Sequence, residues 1–198
     1  VPKFRVKGDY HYQAWPETAH AARSMRKIAR NTQAGHNHAL TAAIVMTAFS
    51  IEAFVQTLGP DVYGEAWASE RRPAERFPVK NKLKDIGKAH GVPVDFGVKP
   101  WKQVAALLAA RDALAHPKPE PRRTNIVFEA VDQEAAIAES REVAFASYHP
   151  MHNIDLLDGV AAEVEEGLLL IWKASGGNPH VLKAWGMGVW SVTSADLE

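Results

Sequence analysis

Arg111, Asp112 and His116, in the run AALLAARDALAHPKPEP at 105–121, are the residues whose types and spacing come nearest to chemistry. A guanidinium is a planar cation that grips oxyanions, and an imidazole exchanges a proton near neutrality. With 3.6 residues per helical turn, Val104, Leu107, Leu108, Arg111, Leu114 and Ala115 share one stripe, so Arg111 stands where an apolar side chain is expected. A cation on a core-facing or interface-facing stripe needs a partner. Pro117 disfavours helical geometry at His116 and sets that histidine at the helix end, four residues from Asp112.

The elements that must position these residues read as helices. Residues Glu17 to about Gln33 place Ala22, Met25 and Ala29 on one helical face and Arg23, Arg26, Lys27 and Arg30 on the other. The clearest element opens at Asn37, a suitable cap, and carries Leu40, Ile44, Thr47, Ile51, Phe54 and Leu58 at helical spacing; Gly59-Pro60 is expected to stop it. A connection over 60–79 includes a short helical piece at Val62–Ala68, and a third helix covers about Asn81–His90. Pro100 suits the first turn of a fourth helix, Trp101 to about Ala115. PKPEPRR at 117–123 is extended, Asn125–Val131 is a candidate strand, and Asp132–Ala146 fits loop or helix. A fifth helix, about Met151–Ala174, carries Leu157, Val160, Val164, Leu168 and Ile171 and closes at Gly176-Gly177. Residues 1–16 read as an arm docking by Tyr10, Tyr12 and Trp15, residues 17–175 as the bundle, and residues 176–198, with Trp185 and Trp190, as a packed tail.

With 198 residues, 46% of them hydrophobic, the chain can bury one good core as a single helical domain. The absence of cysteine excludes disulfides, thiolate zinc sites and cysteine nucleophiles. The longest apolar region, around Ala39–Leu58, is interrupted by Thr41, Thr47, Ser50, Glu52 and Gln56, so no membrane association is expected. No secretory leader is visible, and a cytoplasmic protein is expected. A net charge of zero conceals asymmetry: residues 1–30 carry seven Lys or Arg and two Asp or Glu, and residues 31–70 none and four. Residues 71–123 carry thirteen and five, and residues 124–198 three and twelve. The basic block around Arg111 suits phosphates; the alternative is that basic and acidic helices pack side by side.

Spacing alone does not single out Arg111 and His116, because Arg30 and His36 in RNTQAGH repeat it with one more residue between. Context does: Arg30 and His36 straddle a Gly-containing break, whereas RDALAHPKP follows an apolar LLAA segment. In that form it resembles the signature of the HEPN superfamily of small helical bundles, an arginine commonly followed by Asn or Asp and then a histidine after four to six positions. IVMTAFSIEAFVQTL at 44–58 resembles the long early helix of such proteins, and Glu52 holds the place of their acidic residue in an Ala-rich segment. The resemblance covers about residues 38–118, and the fifth helix by architecture alone.

It implies a mainly α, HEPN-like bundle of about five helices with peripheral irregular or short strand segments, and a homodimer in which two motifs face each other across a two-fold axis. Active members cleave RNA without a metal or other cofactor. His116 would then move protons, with Asp112 to orient it, and Arg111 would offset charge on the phosphate. Lys118, Arg122, Arg123 and Glu52 are read as binding residues. A ribonuclease of toxin or defence type would have an antitoxin-like protein partner. The alternative is a non-catalytic module of the same fold that binds a nucleotide, nucleic acid or protein partner, with Arg111 paired structurally to Glu52 or to an acid of the fifth helix. Two other groupings, His36 with His38 in GHNHA, and His149, His152 and Asp155, have partial metal-ligand spacing but lack a full ligand set, so no metal is expected.

Overall fold

The computed structural model describes residues 4–11, 14–116, 127, 129–146, 151–183 and 187–194. Its elements in chain order are β1 (Phe4–His11), α1 (Ala14–Asn31), α2 (His36–Tyr63), α3 (Val79–Ala89), α4 (Trp101–Ala115), α5 (Gln133–Ala146), α6 (Ile154–Ala174) and β2 (Met187–Ser194). The architecture is mainly α. Short 3-10 turns occupy Gly64–Ala66, Ala74–Arg76 and Val181–Lys183. The expected arm and tail instead supply the two strands, which pair antiparallel with Phe4 opposite Ser194 and His11 opposite Met187. Such long-range pairing leaves little trace in either strand alone. Val127 and residues 129–131 form no strand, and the rest of the candidate strand lies outside the described residues.

α2 is the axis of the bundle: α1, α3, α4 and α6 all pack against it. Leu40, Ala43, Ile44, Ile51, Phe54 and Val55 are buried along it. Its buried Thr47 and Ser50 cause no break, because their hydroxyls donate to the Ala43 and Thr47 carbonyls at 2.6 and 2.7 Å. Gly35, with φ 78°, rather than Asn37 holds the N-cap position, since only glycine enters that left-handed turn without cost. Nor does Gly59-Pro60 end the helix, which runs on to Tyr63. Trp67 folds back so closely that a Cβ on Gly59 would collide with its ring; here glycine provides close approach rather than termination. By length and composition this helix is apolar enough to cross a membrane, contrary to the expectation from its interrupting polar residues, but just over half of its most apolar window is buried in the bundle, as in a core helix.

α1 begins at Ala14, earlier than expected, because Trp15 is fully buried, with Phe54 at 4.8 Å and Trp172 at 5.3 Å between ring centroids in edge-on contacts. One indole thus ties α1 to α2 and α6. Residues 133–146, ambiguous in the sequence, are helical. α6 is capped by Asn153, whose side chain accepts from the Leu156 N–H at 3.0 Å.

Part of the charge asymmetry resolves into one helix pair. Arg23 pairs with Glu165 at 2.7 Å, Arg26 with Asp158 at 2.7 Å, and Arg30 with Asp155 and Asp158 at 2.9 and 2.7 Å. The basic face of α1 therefore docks on acids of α6. Replacing Trp15 with alanine opens a cavity at the meeting point of three helices and should cost about 3–5 kcal/mol. Urea denaturation checks this, and an unchanged midpoint would show that the indole does not hold the helices together.

Candidate functional site

α4 is formed as the sequence predicts, and its apolar stripe of Val104, Leu107 and Leu108 is buried against the core. Arg111 lies on that stripe. Its Nη2 meets Glu52 Oε1 of α2 at 2.5 Å, with the two side chains 26% and 31% exposed, so the ion pair is mostly but not fully withdrawn from water. The Arg111 Nε–H is buried and makes no hydrogen bond; Asp112 Oδ1 lies 3.1 Å away but out of line with it. Asp112 therefore leans on Arg111, and what it offers His116 is backbone: the His116 N–H donates to the Asp112 carbonyl at 2.9 Å. His116 stands at the C-cap of α4 (φ −128°, ψ 59°), exposed, and among the described residues its imidazole has no hydrogen-bond or ion-pair partner.

A third charged side chain reaches this region from α3. Lys82 is buried, its ammonium donates to the Glu75 carbonyl at 2.6 Å, and it lies 5.3 Å from the centroid of the Trp67 ring. Burial pushes the Lys82 pKa down, and the negative charges of Glu52 and Glu75 only partly oppose this. Glu52 thus serves two cations, one on α4 and one on α3. Beside it α2 turns outward Val45 and Met46, half-buried, and Phe49, 40% exposed, while α4 turns outward Ala105, Ala109 and Ala113. α2 thus carries exposed apolar side chains beside the ion pair, and α4 exposes Ala109 and Ala113 together with Lys102 and Asp112.

The other candidate residues are not gathered here. Lys118, Arg122, Arg123 and His149 lie outside the described residues. Arg30 is taken up by α6, and His36 Nδ1 lies 2.6 Å from the Ala29 carbonyl, so the second arginine and histidine hit is structural. His152 meets Thr41 at 3.0 Å while Asp155 turns to Arg30, which separates that set. Among the described residues no group of three or more metal-ligating side chains converges. A surface depression of about 450 Å³ lies at the α1–α2 turn, lined by residues 29–33, His36 and Ile154. It is sixteen residues along α2 from Glu52, about 24 Å. The sequence reading passed over the lysines at 80, 84 and 88, although their four-residue spacing is visible in the chain. No protein-family model matches this chain, and no curated protein or solved structure matches it either.

Removing one partner of the Arg111–Glu52 pair strands the other. Glu52→Gln should therefore cost about 1–3 kcal/mol, below the figure for a fully buried pair because both groups keep some solvent. The double variant Glu52→Met/Arg111→Met should recover most of that loss, and additive losses in a denaturation cycle would contradict the pairing. Lys82 makes a pH prediction. A base whose folded pKa is lowered destabilises the fold while protonated, so stability should rise as pH climbs from the lowered folded value towards the ordinary lysine value. The difference in urea midpoint between wild type and Lys82→Met should shift with pH in that direction, and a pH-independent difference would refute it.

Proposed function

We propose that this chain is a HEPN-like, metal-independent endoribonuclease that works in the cytoplasm as a homodimer, with His116 moving protons and Arg111 supplying the cation. The observation that carries the reading is the α2–α4 contact, where an arginine ion-paired to Glu52 stands near the exposed Phe49 and an exposed imidazole, with no partner among the described residues, ends α4. A helix as poor in charge as α2 belongs in an interior, yet it leaves Phe49 uncovered in a single copy, and α4 exposes Ala109 and Ala113 together with Lys102 and Asp112. A second copy would cover them. The alanines at 105, 109 and 113 stand one turn apart and permit close approach of two backbones.

The chemistry requires more than one chain offers. His116 is exposed at the C-cap of α4, whereas Arg111 is held against α2 by Glu52. Two-fold pairing of the outward sides would bring a second imidazole. One imidazole would then take the proton from a ribose 2′-hydroxyl as its oxygen attacks phosphorus, and the other would give a proton to the departing 5′-oxygen, leaving a 2′,3′-cyclic phosphate. Glu52 is the positioning residue: by holding Nη2 it fixes the plane of the Arg111 guanidinium, which would stabilise charge developing on the phosphate.

A second reading, a module that binds without cleaving, is favoured by the same contact, because Glu52 already neutralises Arg111. Incubation of labelled RNA with the purified protein in EDTA separates the two. His116→Ala should lower cleavage by about 10²–10⁴-fold while leaving RNA affinity intact. Phe49→Glu should convert the dimer to monomers in sedimentation and abolish cleavage with it. Equal binding and no cleavage by wild type and His116→Ala would leave the module reading in its place.

A further inference from the structure

We propose that α3, with the turn that carries Phe96, is a binding track for the backbone of single-stranded RNA, separate from the Arg111 region. The choice of RNA as the polyanion rests on the proposed function; the surface itself does not. Lys80, Lys84 and Lys88 follow one another at four-residue intervals, about 6 Å apart along the helix, and all three are exposed. None has a carboxylate partner among the described residues. The acid within the same helix, Asp85, accepts a hydrogen bond from the Tyr63 hydroxyl at 2.6 Å, and Asp95 Oδ1 accepts from the Gly97 N–H at 2.8 Å.

A row of like charges four apart opposes helix formation, so a structure with acids to spare would be expected to pair it. This protein does so elsewhere: Arg23, Arg26 and Arg30 are each matched to an acid of α6. Two of the three exposed α3 cations, Lys80 and Lys84, instead lie over one aromatic ring. The Lys80 and Lys84 ammonium groups lie 5.7 and 5.6 Å from the centroid of the same ring, Phe96, and the Arg72 guanidinium lies 5.6 Å from Phe77. Both rings are half-buried. Unpaired cations beside half-buried aromatic rings are the components of a single-strand surface: the cations follow phosphates and the rings accept unstacked bases. An acidic protein would satisfy the charges but has no use for the rings, and a duplex has no unstacked bases to place on them.

The test is fluorescence anisotropy with a labelled 20-nucleotide poly(U) RNA, using His116→Ala and Lys80→Gln/Lys84→Gln/Lys88→Gln in parallel with wild type. Glutamine keeps helix propensity, and circular dichroism with a melting curve verifies the fold. The triple variant should bind at least tenfold more weakly, and its slope of log affinity against log salt should be shallower by about 2, the value for three lost single-strand phosphate contacts. Phe96→Ala should weaken binding with the salt slope unchanged. Unaltered affinity in a folded triple variant overturns the track, as does polyglutamate or duplex RNA competing as well as poly(U). The two proposals fail separately. RNA that is bound through α3 but never cut sinks the nuclease and leaves the track, and RNA that is cut by the triple variant with unchanged KM does the reverse.

Discussion

The structure depends on the burial of α2. Glu52 and Asp61 are the only Asp, Glu, Lys or Arg residues among its 28 positions, and four other helices pack around it. A helix so poor in charge acts as a hydrophobic axis, and its single mid-helix carboxylate becomes the point that neighbours must satisfy. α4 answers with Arg111, and α3 brings Lys82 near. The ion pair that marks the candidate site is therefore also the condition under which Glu52 can sit on an apolar helix. Its structural role and the chemical one proposed for it use the same contact.

Charge elsewhere is divided between cohesion and presentation. The α1 arginines are consumed by α6, so the most basic part of the amino-terminal region holds the bundle together. Lys80, Lys84 and Lys88 of α3 are exposed, the first two over the Phe96 ring, while Lys82 of the same helix is buried. Net charge, which is zero, carries none of this, because it sums paired and unpaired charges alike. Trp15 completes the packing on the other side of α2 by filling the space between Phe54 and Trp172.

Much of the candidate site was legible. A cation on an apolar stripe predicted a partner, either Glu52 or an acid of the fifth helix, and the structure selects Glu52. The expectation that Asp112 orients His116 rested on four-residue spacing; in the structure Asp112 turns its carboxylate to Arg111 and reaches His116 only through its backbone carbonyl. Spacing indicates which side chains are within reach, and it does not choose among competing partners.

The sequence by itself determined the helices of the bundle and the end of α4, because apolar periodicity and proline stereochemistry act within a few residues. It also placed Arg111 among apolar neighbours. Only the tertiary structure decided that Pro60 lies within α2, since the close approach of Trp67 to Gly59 joins segments that local rules treat as separate. The same holds for β1 and β2, whose partners are nearly the whole chain apart, and for the division of basic residues into paired and unpaired sets. Each is settled by which surfaces meet in space, and such meetings are set by the packing of the whole chain rather than by the residues on either side.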